Sequence, residues 1–261
     1  MAVSQIVLGI LGNIIASVFF VSPVLTFWRI WRKKTVEDFS GLPYLGCFFN
    51  CAAWTFYGLP LVIEGGTLVV TINGAGAALF FTFVLIFLIF SRGKERLKVG
   101  TLFVAVIAFL VVLIVVTLTT VRQNQRKTVV GSTALAINII MYSAPLSNTK
   151  LVIKTRSVEF LPFFFTLMSF INPVVWTAYA AVTSDLFIMI PNAIGIALGS
   201  FNLLLYGIFH KSKPKQKPKV EDKQVENINL KEQLKHSADS DGTTAPATET
   251  DAKKQIVDSS A

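Results

Sequence analysis

Charge is missing from the middle of every apolar run in this chain. Seven such runs, roughly 6–28, 42–63, 67–90, 100–121, 129–149, 161–182 and 186–209, carry no Asp, Glu, Lys, Arg or His at their centres. The six acids before residue 210 (Glu37, Asp38, Glu64, Glu95, Glu159 and Asp185) stand at run ends or in connections. A proton-coupled carrier ordinarily needs an ionisable relay inside the membrane, so this absence argues against one. Histidine and cysteine are scarce, with two of each in 261 residues. Cys47 and Cys51 share one face of one run; they cannot pair within a helix without distortion and read as small packing residues. His210 and His236 lie beyond the runs. No metal-ligand set results, and no cofactor is expected. The phosphate loop Gly-x-x-x-x-Gly-Lys does not occur, which argues against a nucleotide-driven pump.

What the chain has in abundance is apolar length. Hydrophobic residues make up 53% of it, and the mean hydropathy is +0.62. Each run is about 21 to 25 residues, enough to cross a hydrocarbon core of roughly 30 Å as a helix. The first is no cleavable signal peptide, because it lacks a basic lead and contains Asn13 and Pro23. Lys and Arg cluster after runs one, three, five and seven, in groups of four, four, three and five; the opposite connections hold only Arg122, Arg126 and Lys127. The positive-inside rule then predicts an outer N-terminus and a cytoplasmic C-terminus. The net charge of +9 follows from that topology. Nucleic acid is not an expected partner, since the basic residues flank apolar runs and are not interleaved with aromatics. Residues 211–261 are rich in Lys, Glu, Gln, Asp, Ser and Thr, and too polar to bury a core; a disordered cytoplasmic tail is expected.

The chain also repeats itself. Pro23 and Pro145 are 122 residues apart (145 minus 23), and so are Thr35-Val36-Glu37 and Ser157-Val158-Glu159, and Trp54-Thr55-Phe56-Tyr57 and Trp176-Thr177-Ala178-Tyr179. Leu42-Pro43 and Leu161-Pro162 are 119 apart, as are Asn73/Gly76 and Asn192/Gly195. Runs one to three therefore match runs five to seven. Run four, with no internal Asn, Pro, Trp or charge, stands between them. One inverting run between two triplets makes the triplets parallel, related by a pseudo-two-fold axis along the membrane normal. Parallel repeats of this kind are known among transporters, including the family named below, with the site near the midplane between the repeats. The expected divisions are 1–98 for the first repeat, 99–128 for the linker helix and outer loop, 129–210 for the second repeat and 211–261 for the tail.

Several motifs, in order and duplicated, carry a resemblance. They are Gly12-Asn13 with Pro23, Asn50-Cys-Ala-Ala-Trp-Thr-Phe-Tyr-Gly-Leu-Pro60, Thr71-Ile-Asn-Gly74, Met141-Tyr-Ser-Ala-Pro-Leu146, Lys154-Thr-Arg-Ser-Val-Glu-Phe-Leu-Pro-Phe163 and Ile190-Pro-Asn192. Over about residues 6–209 the chain resembles the SWEET (MtN3/saliva) sugar transporters, and around Trp54 it is most similar to the hexose-carrying plant subgroup. The resemblance implies an all-α membrane fold of seven helices: two parallel three-helix repeats joined by a linker helix, with helix order one, three, two inside each repeat. It implies facilitated diffusion of a sugar, with no enzymatic activity. Its small-molecule partner would be a hexose such as glucose, with a sucrose carrier of the same fold the alternative. A seven-span receptor would share the topology but has no evident use for the duplication.

Individual residues take roles on the same basis. Asn73 and Asn192 each offer an acceptor oxygen and two donor hydrogens, suited to sugar hydroxyls. Either one alone would be explained by an interhelical hydrogen bond; the matched pair points to substrate. Trp54 and Trp176 can pack indole faces on the C–H face of a sugar ring, and two indoles leave room for one ring, although an interfacial tryptophan is the plainer alternative. Pro23, Pro43, Pro145 and Pro162 correspond to the family's cytoplasmic hinge prolines; for Pro43 and Pro162 a helix-start role is the simpler reading. Tyr57, Tyr179 and Asp185 correspond to an extracellular gate in which a phenol bonds a carboxylate, with an aromatic belt and a loop acid as the alternative. Ala180 stands where many members carry glycine. A homo-oligomer is expected because each repeat is a thin bundle. The plasma membrane is the expected location, with the vacuolar or another internal membrane as alternative.

Overall fold

The computed structural model describes residues 3–37, 39–158 and 161–210. The expected tail, Asp38 and Glu159 lie outside the described residues. Among those described, the chain forms nine helices and no strand. They build seven spans because two spans are broken in the middle.

The breaks follow from proline chemistry. Span one is α1 (Val3–Val18) and α2 (Val21–Lys33). Pro23 has no N–H, so the Phe19 carbonyl four residues earlier loses its helical donor. The backbone tightens there: Phe19 N–H donates to the Ala16 carbonyl and Phe20 N–H to the Ser17 carbonyl, both at 3.1 Å. The break recurs 122 residues on. α6 (Gln123–Met141) passes to α7 (Ser143–Thr155) at Tyr142. Pro145 frees the Met141 carbonyl, and Tyr142 N–H donates to the Ile139 carbonyl at 3.2 Å. The lower halves end alike, since Lys34 and Arg156 both cap in the left-handed region at φ 56° and 50°. Pro43 and Pro162 occupy a different kind of place. Pro43 lies in the first turn of α3 (Leu42–Gly58), and Pro162 is the N-cap of α8 (Phe163–Thr183). Both are exposed helix-start positions in this conformation.

Spans one and five run beyond their expected bounds, and α3 and the linker helix also differ in length from the sequence expectation. α3 stops at Gly58, five residues before the predicted end of its run. Pro60 is the cause: the residue before a proline is driven from the α region, and Leu59 is extended at φ −66°, ψ 148°. At 17 residues and a rise of about 1.5 Å each, α3 still covers about 25 Å. The linker α5 (Gly93–Thr119) starts well before its apolar run, because Lys94, Glu95, Arg96 and Lys98 are good helix formers and extend it outward. The remaining spans are α4 (Thr67–Phe90) and α9 (Leu186–Phe209).

Packing follows the duplication. In the first repeat α1 and α2 lie on α4, and α4 lies on α3; in the second, α6 and α7 lie on α9, and α9 lies on α8. This is the order one, three, two in both. The repeats meet through α1 with α8 and α3 with α6, contacts that the pseudo-two-fold axis exchanges. α5 packs on α3, α4 and α6, and buries little beyond Val99, Leu110 and Thr117. Phe103, Val106 and Ile107 pack against the first repeat, while Val104, Val111 and Val112 face outward. An outward apolar face suits hydrocarbon and not water.

Candidate functional site

Between the repeats lies a cavity of about 290 Å³. Asn73 and Trp54 line it from the first repeat, Asn192 and Trp176 from the second. The four residues singled out as the sugar site therefore share one chamber. Each Asn is tied to its own helix in the same way. Asn73 Nδ2 donates to the Val69 carbonyl at 2.9 Å, and Asn192 Nδ2 to the Ile188 carbonyl at 2.8 Å. Val69 and Ile188 are themselves related by the spacing of 119 and both line the cavity. One amide hydrogen is used to fix the rotamer. The second hydrogen and the Oδ1 of each find no protein partner among the described residues, so they remain for a ligand.

The tryptophans are held by packing. Trp54 is 6% and Trp176 8% exposed. A Cβ on Gly12 would come within 2.8 Å of Trp176 Cε2, so only glycine lets α1 approach this indole. Each indole meets a tyrosine one turn on, Trp54 with Tyr57 and Trp176 with Tyr179, with ring centroids 5.3 Å apart in both pairs.

Three further asparagines belong to the chamber and were not singled out in the sequence. Asn50 and Asn172 are again 122 apart, and each precedes its tryptophan by four residues, which places both on the cavity face of α3 and α8. The spacing rule could have found them. Asn138 could not be found that way, since its counterpart is Ala16. Asn138 Nδ2 donates to Asn50 Oδ1 at 3.3 Å, a bond between repeats. Asn172 Oδ1 is buried and has no hydrogen-bond partner. Tyr142, at the α6/α7 break, donates its hydroxyl to the Pro191 carbonyl. Cys47 and Cys51, read as packing residues, also line the cavity.

Toward the head of α9 a buried bond ties the two repeats together. Tyr57 is fully buried and donates its hydroxyl to the Asp185 carboxylate, 2.8 and 2.7 Å from its two oxygens. Asp185 is 3% exposed and also N-caps α9, accepting from Phe187 N–H at 3.1 Å and Ile188 N–H at 3.3 Å. Lys127 Nζ lies 3.1 Å from Asp185 Oδ2. Arg126 donates to the Leu118 carbonyl at 3.0 Å, at the end of α5. Two of the three basic residues on the sparse side thus have specific local partners. Tyr179 is not bonded to Asp185; it lines a vestibule beside that bond, with Glu64 and Lys127. At the opposite end α2 rests on α4, and α7 on α9 and α6, while Glu37 joins Arg29 and Lys33, each at 2.6 Å. The neighbouring cations, with the Lys33 hydrogen bond foremost, hold the Glu37 carboxyl below its ordinary value.

Comparison with known proteins fits this geometry. The family model described as "Sugar efflux transporter for intercellular exchange" matches residues 6–95 and 128–214, leaving out α5 as the duplication requires. The bidirectional sugar transporter SWEET7 of Arabidopsis thaliana is 44% identical over 208 residues, covering 79% of this chain and 81% of its own. The bidirectional sugar transporter SWEET4 of Oryza sativa subsp. indica is 43% identical over 206 residues, 78% of this chain and 80% of its own. A eukaryotic SWEET transporter structure superposes with a TM-score of 0.77 at 35% identity, covering 80% of this chain and 98% of that one. With two matched repeats around one asparagine- and tryptophan-lined chamber, the chain belongs to the SWEET (MtN3/saliva) family of sugar transporters.

Proposed function

We propose that this chain carries monosaccharides, glucose or another hexose, down their own gradient in either direction by alternating access. The supporting observation is the central cavity: about 290 Å³, walled by two indoles and edged by paired amides with unused donors and acceptors. Five asparagines and no ionised group line it. Neutral amides match neutral hydroxyls, and binding needs no coupled ion. A second sugar ring would have to displace Trp54 or Trp176, which favours a hexose over sucrose. The closure through Tyr57, Asp185 and Lys127 would be the outer gate, with Pro23 and Pro145 as the hinges that let α2 and α7 swing. Pro43 and Pro162, at the starts of α3 and α8, would bound the same end as the remaining pair of hinge prolines. The Lys and Arg bias supports an outer N-terminus, and the plasma membrane is the location we assign.

Labelled glucose exchange in vesicles tests the reading. Exchange is expected to persist when a protonophore collapses the proton gradient. It is expected to fall by at least about tenfold in Asn73→Ala and Asn192→Ala, since each removes hydrogen bonds to sugar and leaves its hydroxyls without those partners. Loss of flux with the gradient, or wild-type flux in both variants, would refute it.

A further inference from the structure

The paired asparagines and tryptophans match at the centre of the cavity, and the repeats diverge toward α2 and α7. Thr149 of α7 and Asn202 of α9 stand where the first repeat has Phe27 and Phe83, at the same spacings of 122 and 119. In the first repeat the two phenyl rings stack, 4.2 Å apart and 3° from parallel. They sit in an apolar core with Ile30, Phe80, Val84 and Phe87. In the second repeat the Thr149 hydroxyl lies 2.7 Å from Asn202 Oδ1 and 2.8 Å from the Pro145 carbonyl. Both side chains are buried, and the apolar cluster there shrinks to Val152, Leu161 and Leu205. Gly199 replaces Phe80; a Cβ on it would come within 2.9 Å of the Phe170 backbone, so α8 and α9 touch there and no ring stands where Phe80 does in the first repeat.

The space left is a second cavity of about 340 Å³. It shares Asn172 and Asn192 with the central chamber and reaches past Ser169 and Leu198 to Asn202. Ser169, Asn138 and Tyr142 are bonded within the protein. Among the described residues, one end of the Asn202 amide is held by Thr149 and the other has no partner, and the buried Asn172 Oδ1 stands unpaired between the two cavities. Buried polar groups without partners are uncommon. The Asn172 and Asn202 amides, leading from a sugar-sized chamber, describe a hydroxyl-binding path. The first repeat offers no such path, because the equivalent volume is filled by rings.

We propose that this second cavity is a subsite for one monosaccharide, occupied as sugar passes between the central chamber and the Arg29/Lys33 end. The inference rests on the monosaccharide reading above. The test compares Leu198→Trp, Thr149→Val and Thr149→Ser with the native chain. Glucose exchange in vesicles and equilibrium binding of labelled glucose to the purified protein are both measured. Leu198 lines the second cavity and not the first. Its replacement by Trp is expected to lower maximal exchange at least about tenfold, while equilibrium affinity stays within about threefold, because the central site is untouched. Thr149→Val is expected to lower exchange several-fold and Thr149→Ser, which keeps the hydroxyl, to retain it. Native exchange rates in Leu198→Trp would overturn the proposal. So would equal exchange in the two Thr149 variants, or binding and exchange falling together. A native chain that binds and moves no glucose would instead count against the monosaccharide reading, and with it the subsite.

Discussion

Removing one hydroxyl from the Asp185 closure tests how the cavity is kept shut. Tyr57→Phe deletes the donor to Asp185 and leaves the ring in place against Trp54. The lost bond is a buried one to a charged group, with both partners almost fully enclosed. Such bonds contribute roughly 1.5–3 kcal/mol. The carboxylate is not orphaned by the change, because Phe187 N–H, Ile188 N–H and Lys127 still reach it. The full penalty of a bare buried charge therefore does not enter. At about 1.4 kcal/mol per factor of ten, the closed state should lose roughly 10- to 150-fold against the open one. Lys127→Met should do much less. Its side chain is 41% exposed, and exposed ion pairs contribute about 0.2–1 kcal/mol, so a shift of about fivefold is the ceiling.

Cys51 reports the opening. It lines the cavity, and Cys47→Ser, which installs the serine found at the equivalent Ser169, leaves it as the single thiol. A membrane-impermeant thiol reagent applied from the Asp185 side labels Cys51 only when that side opens. The ratio of labelling rates between variants cancels the thiol's own reactivity. Tyr57→Phe should raise the rate at least about tenfold, and Lys127→Met by about fivefold or less. Asp185→Asn keeps a good helix cap, and added to Tyr57→Phe it should give less than the two single effects combined, because both act on one bond. A Tyr57→Phe rate within twofold of the parent would refute the claim that this hydrogen bond holds the cavity closed.

Other outcomes follow from the same geometry. Trp54→Ser with Trp176→Ser should admit a second sugar ring, read as sucrose exchange that the parent lacks; unchanged selectivity would show that the indoles do not set the size limit. Gly66→Ala should destabilise the fold by about 1–3 kcal/mol or more, because its Cβ would meet the Gly58 carbonyl oxygen at 2.3 Å; Gly207→Ala, with nothing within 4 Å, should leave the melting temperature unchanged. Glu37 should remain ionised below its ordinary value of 4.5. Its link to Arg29 and Lys33 then adds to stability above that pH and is lost as pH falls through the lowered value, so Glu37→Gln should flatten that acid limb in a thermal-shift titration.

The duplication made much of the centre readable. Asn73, Asn192, Trp54 and Trp176 came from the duplication and the family resemblance together, and the structure gathers all four in one chamber. Asn50 and Asn172 obey the same spacing but lie inside motifs that also carry Trp54 and Trp176, and the larger residues drew the reading. Asn138 was out of reach, because its partner position is Ala16 and no repeat argument can find an unpaired residue. The helix breaks were legible as prolines but displaced in position: the freed carbonyl lies four residues earlier, so the chain yields at Phe19 and Met141. The early end of α3 was written in Pro60, which sits within an otherwise unbroken apolar run and was outweighed by hydropathy.

Tyr57 and Tyr179 mark where sequence symmetry stops being informative. Both follow Trp by three residues and both are buried. Only one finds a carboxylate, because Asp185 at the head of α9 has Gly66 as its counterpart at the head of α4. A residue starting α9 faces α3 across the repeat boundary, so the single acid pairs with the tyrosine of the other repeat. Gly66 cannot pair with anything, and serves instead as the point where the chain passes against Gly58. The exchange of Thr149 and Asn202 for Phe27 and Phe83 is the same event at the opposite end. A sugar held between matched halves can be gripped by matched residues. The lone acid at one end and the Thr149–Asn202 pair at the other are differences beyond the gripping residues, while Asn138, opposite Ala16, is a difference within the chamber itself.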